Sequence, residues 1–207
     1  VREILRIPKG DLSTTMPVTQ RREPNNYEWQ KRHRDILSLN QSNPPRRVIL
    51  GNSITHFWGG EPKGPSVRGM ETWEKIMRPA GFHNLGHGEL DGYKAEEVVL
   101  MIGTNNIGIN NDNEIVEGIR FLLSAIKQRQ PEAKIKVIGI LPRRNQEERV
   151  RNLNLRIRQI AETGWYTFKN PGTKLLQEDG KINESLFSDG LHPNEEGYKR
   201  IVDEIAH

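Results

Sequence analysis

The sequence predicts an α/β protein built around a parallel sheet of about five strands. Three observations carry that expectation. Short β-rich runs alternate with longer segments of helical period, the most apolar run has no polar face at all, and glycine or proline closes several runs. A length of 207 residues suits one such domain, and 34% hydrophobic residues with 19 glycines describe a hydrophilic but foldable chain.

In chain order, residues 1–24 are polar and proline-containing, and they read as an arm or linker, the remnant of an upstream domain. The domain proper is expected over residues 25–207, opening with a helix from Tyr27 to Leu39. Arg47 to Leu50 reads as the first strand, ending at Gly51, and Phe82 to Leu85 as a weaker second. Glu97 to Ile102 is apolar enough to be a central strand buried on both faces, and Gly103 ends it. Ile115, Ile119, Leu122, Leu123 and Ile126 then recur at helical spacing behind Asn111 and Glu114, which are spaced as a capping box. Lys134 to Leu141 makes the fourth strand, stopped by Pro142, and Trp165 to Phe168 the fifth. Val150, Leu153, Ile157 and Ile160 stripe the helix between them, and Tyr198, Ile201, Val202 and Ile205 stripe a terminal helix with Pro193 near its first turn.

One joint is too short. Parallel strands need a crossover of about a dozen residues or more, yet only nine separate Gly88 from Val98. Either the second strand is misread, or a stretch near Gly86 to Glu89 is absent from the sequence as written; the second reading is favoured, and a Cα to Cα step well above ~3.8 Å would mark it.

Composition removes several function classes. Without cysteine there is no disulfide, thiolate metal site, iron–sulfur cluster or cysteine nucleophile, although the compartment stays open. The longest apolar run, Val98 to Ile102, is far below the ~18 residues of a membrane span. Because the chain opens on Val1, it reads as a mature form or an excised domain, with a secreted or periplasmic setting favoured over a cytoplasmic one. The net charge of +4 is scattered over runs such as Lys31 to Arg34, Arg46-Arg47 and Arg143-Arg144, so no nucleic-acid partner is expected. His56, His83 and His87 invite a metal, but His83 falls in an expected strand, where a spacing of four does not gather ligands, and no metal is expected.

Ligands of open parallel sheets collect where strands end. Three such places hold chemistry: Gly51-Asn52-Ser53-Ile54-Thr55, Gly103-Thr104-Asn105-Asn106, and Ser188-Asp189-Gly190-Leu191-His192-Pro193 ahead of the terminal helix. Together they meet the needs of acyl transfer. A serine hydroxyl attacks only when a base takes its proton, and an imidazole with an ordinary pKa near ~6.5 suits that task. Ser53 is the candidate nucleophile, His192 the base, and Asp189, three residues earlier, the group that orients the ring. The tetrahedral oxyanion needs donors, and the candidates are the Ser53 N–H, the Asn105 side-chain amide, and a glycine N–H from Gly86 or Gly88. His56-Phe57-Trp58 follows the serine loop and fits either core packing or the wall of an acyl pocket, whereas Trp29 and Trp73 read as helix-packing residues.

With these residues in place, the chain from about Arg47 onward resembles the GDSL-type, or SGNH, hydrolases. It is most similar to their platelet-activating-factor acetylhydrolase-like and sialate or carbohydrate O-acetylesterase-like branches. Gly51-Asn52-Ser53 matches the G-D-S motif, Gly103-Thr104-Asn105 the G-x-N motif and Asp189 to His192 the D-x-x-H motif. Two positions depart: Asn52 stands where aspartate is usual, and Asn84-Leu85-Gly86-His87-Gly88 runs into Glu89 instead of a further glycine and aspartate. The resemblance implies a flavodoxin-like, three-layer α/β/α fold with a doubly wound sheet. It further implies a cofactor-free serine esterase acting through an acyl-enzyme on short acyl esters, acetyl above all, of a carbohydrate or lipid-like alcohol. A non-catalytic glycan-binding module and an O-acyltransferase are the alternatives.

Overall fold

A computed structural model describes residues 13–15, 28–85, 89–162 and 164–207. Its principal elements are α1 (Trp29–Ser42), β1 (Arg47–Gly51), α2 (Ser53–His56), α3 (Met70–Thr72, continued by a π-turn at Trp73–Met77), β2 (Phe82–Leu85), β3 (Glu97–Met101), α4 (Asp112–Arg129), β4 (Lys134–Ile138), α5 (Glu147–Glu162), β5 (Thr167–Lys169) and α6 (Glu195–Ala206). The five strands are parallel and lie in the order β2-β1-β3-β4-β5. After β1 the chain steps outward to β2 and then returns across β1 to β3, so the winding reverses between β1 and β3. Such a reversal splays apart the loops leaving the two strands and opens a crevice at their carboxyl ends.

Successive strand residues point to opposite faces, and here both faces are covered. Val48, Leu50, Val98, Leu100, Ile135 and Val137 pack under α1, α4 and α5, through Ile36, Ile119, Leu123, Leu153 and Ile157. Ile49, Val99, Met101 and Ile138 pack on the other side against Trp58, Trp73, Met77 and the α6 stripe. Two apolar layers around one sheet make the three-layer α/β/α architecture. The helices between them carry the expected signals: the Asn111–Glu114 capping box starts α4, with reciprocal bonds of 3.0 and 2.9 Å.

Three details differ from the sequence reading. β5 begins at Thr167 because Trp165 lies in a bend, half-exposed, where it meets Tyr166 edge-on and takes the Lys127 ammonium over its ring. β4 pairs with its neighbours only to Ile138, although Gly139 to Leu141 continue buried. Pro193 lies outside α6, bridged to Phe187, and Asn194 caps the helix by accepting from the Gly197 N–H. The second strand is a genuine one, paired with β1 through Arg47↔Phe82 to Leu50↔Leu85. Its short link to β3 runs over 86–96 without a helix in the described part. There Leu90 and Ala95 join α1's Ile36 in the core, so α1 covers the layer a crossover helix would fill. The suspected gap near Gly86 to Glu89 falls largely outside the described residues. Of the arm, Ser13–Thr15 lies against α4: the Thr14 hydroxyl donates to the Glu114 carbonyl at 2.7 Å.

Candidate active site

β1 and β3 pair in register from Arg47↔Glu97 to Gly51↔Met101, so the loops holding Ser53 and Asn105 leave neighbouring strands at the crevice. The turn out of β1 is tight. A side chain at Gly51 would overlap the Met101 carbonyl and Thr55, which is why glycine precedes the serine. Asn52 then caps α2, its Oδ1 accepting from the Ile54 N–H at 2.9 Å, which leaves Ser53 as the helix's first residue. An aspartate would cap equally well, so the departure at this position leaves the loop's support intact. Gly103 sits at φ +120°, and a Cβ there would come within 2.8 Å of Ile140 Cδ1. That turn sends Thr104–Asn106 into a 3₁₀ turn with Asn105 exposed.

The third segment folds as a turn around a carboxylate. Asp189 Oδ1 accepts the backbone N–H groups of Leu191 and His192 at 3.1 and 2.8 Å, while the Phe187–Pro193 bridge closes the base of the loop. Asp189 Oδ2 lies 2.8 Å from His192 Nδ1, and His192 Nε2 lies 2.9 Å from Ser53 Oγ. An ionised carboxylate can only accept, so Nδ1 holds the proton of that bond and Nε2 is left to accept from the serine hydroxyl. Partial burial works against ionisation of Asp189. The His192 backbone and ring and the Arg68 guanidinium outweigh it, holding the carboxyl well below the usual carboxylate range.

The structure thus brings Ser53, His192 and Asp189 into one hydrogen-bonded line, and it sets Asn105 on the adjoining loop. Gly86 and Gly88 lie outside the described residues. Among the described residues no group of three or more histidine, aspartate or glutamate side chains is arranged to hold a metal. The aromatic run divides between its two expected roles. Trp58 is fully buried, stacked 4.8 Å from Tyr198 and donating to Thr72 Oγ1 at 2.8 Å, whereas the Phe57 ring lies 5.2 Å from the His192 ring beside the serine. Trp73 is buried as a packing residue, and Trp29 stands 5.4 Å from the His56 ring.

Three further side chains hold the site, and the sequence reading missed their roles. Asn84, at the end of β2, donates to the Thr55 and Gly59 carbonyls and ties the serine helix to the sheet. Tyr198 of α6 donates to the Ile54 carbonyl at 2.7 Å, joining the element after His192 to the one carrying Ser53. Arg143 donates to the Thr104 carbonyl at 2.9 Å, bracing the residue before Asn105. Asn84 lies in a motif already singled out; Tyr198 and Arg143 read only as core stripe and surface charge.

His56 gives this region a pH signature. Burial, aided by the nearby Arg32 charge, pushes its pKa down to about 4. A folded-state value below the ordinary ~6.5 means that the unfolded chain binds a proton the native chain refuses, so stability falls as pH drops from about 6.5 to 4, by up to about 3 kcal/mol. His56→Gln should flatten the dependence of Tm on pH in that window. An acid profile identical to wild type would remove His56 as the cause.

Comparison with known proteins agrees with this architecture. Residues 49–200 match the model of the GDSL-like Lipase/Acylhydrolase family, most of the chain. The chain is 24% identical over 194 residues to the platelet-activating factor acetylhydrolase IB subunit alpha1 of Bos taurus, covering 84% of this chain and 78% of the relative. Among solved structures it is similar to a GDSL-like lipase from Bacteroides thetaiotaomicron, with a TM-score of 0.63, 19% identity and coverage of 83% and 97%. It is also similar to a carbohydrate acetylesterase from Sinorhizobium meliloti, with a TM-score of 0.56, 19% identity and coverage of 78% and 96%. The family match spans the serine loop, the Asn105 loop and the Asp189–His192 turn alike, and the chain accordingly belongs to the GDSL-like Lipase/Acylhydrolase family of carboxylic ester hydrolases.

Proposed function

We propose that this protein is a serine esterase that removes short acyl groups, acetyl foremost, from a carbohydrate or lipid-like alcohol. The observation that carries the reading is the Ser53–His192–Asp189 line, a 2.9 Å link between residues 139 apart in the chain continued by a 2.8 Å link within the Asp189–His192 turn. The Ser53 oxygen attacks the ester carbonyl carbon as its proton passes to His192 Nε2. The oxyanion is met by the Ser53 N–H and the Asn105 amide, and a third donor from the Gly86–Gly88 loop belongs to the same reading. His192 then gives the proton to the departing alcohol, and water, deprotonated by the same nitrogen, releases the acyl group from Ser53. Asp189 stays ionised throughout and holds Nδ1. The acyl group is assigned by likeness, since the relatives include a platelet-activating factor acetylhydrolase and a carbohydrate acetylesterase. The catalytic unit is assigned to residues 25–207.

A panel of 4-nitrophenyl esters from acetate to octanoate tests the acyl assignment: kcat/KM should be highest for acetate and fall with chain length. A preference for octanoate would overturn it. Asn105→Ala should lower kcat by about 10²–10³ with KM little changed, because the donor is called on chiefly when the oxyanion forms. An unchanged kcat would remove Asn105 from the oxyanion site.

A further inference from the structure

Arg68 lies in residues 59–69, a stretch rich in glycine and proline that follows the serine helix and shows neither helical nor strand period. Its backbone N–H donates to the Phe57 carbonyl at 2.7 Å, and the next residue, Gly69, donates to the Trp58 carbonyl at 3.1 Å. The base of the side chain is thereby fixed to the chain just beyond Ser53. Its guanidinium lies over the Phe57 ring at 5.3 Å, and Nη1 donates to Asp189 Oδ2 at 3.0 Å. That is the same oxygen that holds His192 Nδ1. The Arg68 side chain is three-quarters buried and Asp189 is 43% exposed, so the bond is held in place at its arginine end and partly open to solvent at its carboxylate end.

We propose that Arg68 is a positioning residue for ester hydrolysis. It clamps the Asp189–His192 turn to the serine helix, and by sharing Asp189 Oδ2 it limits how strongly the carboxylate holds a proton on His192. The proposal rests on the esterase reading above and deepens it. Geometry supplies the first half. Ser53 and His192 belong to distant parts of the chain, and Arg68 spans them with a backbone bond to one side and a charged bond to the other. Charge supplies the second. A carboxylate fully committed to the imidazolium would make His192 slow to release the proton that the departing alcohol needs, and a cation on the same oxygen weakens that commitment. The other described charges about the turn have their own hydrogen-bond partners: Arg144, whose charge also reaches Asp189 through space, pairs with Glu184 at 2.6 Å, and Glu195 accepts the Glu71 and Thr72 N–H groups at 3.0 and 2.9 Å. Burial keeps His56, the last residue of the serine helix, neutral.

The test is a pair of variants followed by NMR titration of the His192 ring and by the pH profile of kcat/KM for an acetate ester. Arg68→Met should move the His192 midpoint up by at least about half a pH unit, carry the acid limb of kcat/KM with it, and lower kcat about tenfold or more. Arg68→Lys keeps the charge but loses the fixed fork, so it should hold the midpoint close to wild type while kcat still falls. Should Arg68→Met fail to fold, Arg68→Gln, which retains a donor without charge, replaces it in both readouts. A His192 midpoint unmoved by loss of the charge overturns the proposal even if kcat drops, since a mere prop would lower kcat alone. The NMR arm does not depend on turnover. If Ser53→Ala keeps wild-type ester hydrolysis the esterase reading falls, while the titration still reports whether Arg68 governs the Asp189–His192 pair.

Discussion

Ser53→Ala is expected to lower kcat for a short-chain ester by about 10⁵-fold or more while leaving the fold and Tm close to wild type. The side chain that is lost is one hydroxyl, half-buried and bonded to His192; the cap of α2 belongs to Asn52 and the anchors of the helix to Asn84 and Tyr198. Stability therefore does not depend on it. On the proposed mechanism catalysis does, because no other described hydroxyl is bonded to His192 Nε2, and without an oxygen there no acyl-enzyme would form. Removing His192 as well should add little, since nucleophile and base act as one unit, and the double variant should sit near either single one. A Ser53→Ala protein that hydrolyses the ester within tenfold of wild type would sink the assignment. A further loss of several orders of magnitude in the double variant would show that His192 works by a route that bypasses Ser53.

How much of this could be read beforehand depends on whether a feature is local. The strands β1 and β3 and the helix α4 declare themselves because burial on both faces, or on one helical stripe, fixes the residue types in a short window. The three site segments are legible for a related reason: a glycine-limited turn, an amide behind a left-handed glycine, and a carboxylate that wraps its own backbone each require particular residues at fixed spacing. Arg68 was illegible. Its bond to Asp189 is made across 121 residues from a stretch without periodicity, and nothing at position 68 alone distinguishes a clamp from a solvated charge. The split between Phe57 and Trp58 was undecidable for the same reason. Both are large aromatics following one turn, and only the stacking surface offered by Tyr198 determines which is drawn inside. Trp165 misled through intrinsic propensity. A β-forming residue beside Gly164 reads as the start of a strand, but the turn completes before pairing begins at Thr167.

The end of the sheet away from the site holds a charge cluster whose disruption should cost more stability than any other single change considered. Glu97 opens β3, on the face turned toward α6, and its two oxygens are divided between cations: Arg47 Nε donates to Oε2 at 2.7 Å, and Lys136 Nζ lies 3.1 Å from Oε1. Lys136 also donates to the Ile205 carbonyl at 3.1 Å, while the Arg47 guanidinium lies 4.5 Å over the Phe82 ring. The partners differ in how they can respond to loss of Glu97. Arg47, one-fifth exposed, can turn to solvent; Lys136, 6% exposed, cannot bring its ammonium to water without opening the layer between β4 and α6. Glu97→Ala therefore leaves an uncompensated buried cation and should destabilise the protein by about 3–5 kcal/mol, a fall in Tm of roughly 6–20 °C for a chain this long. Replacing the lysine at the same time, as Glu97→Ala with Lys136→Met, should recover most of the loss, because an apolar stem suits a layer otherwise made of Ile138, Ile201 and Ile205. Thermal unfolding of wild type, the single variant and the double variant decides the matter. A single variant within about 2 °C of wild type, the shift of a change below about 1 kcal/mol, would mean that Lys136 finds water after all. A double variant no better than the single one would place the cost in lost packing instead of stranded charge. Ester hydrolysis per folded molecule should be the same in all three, since a strand of five residues, about 16 Å long, separates this cluster from the serine.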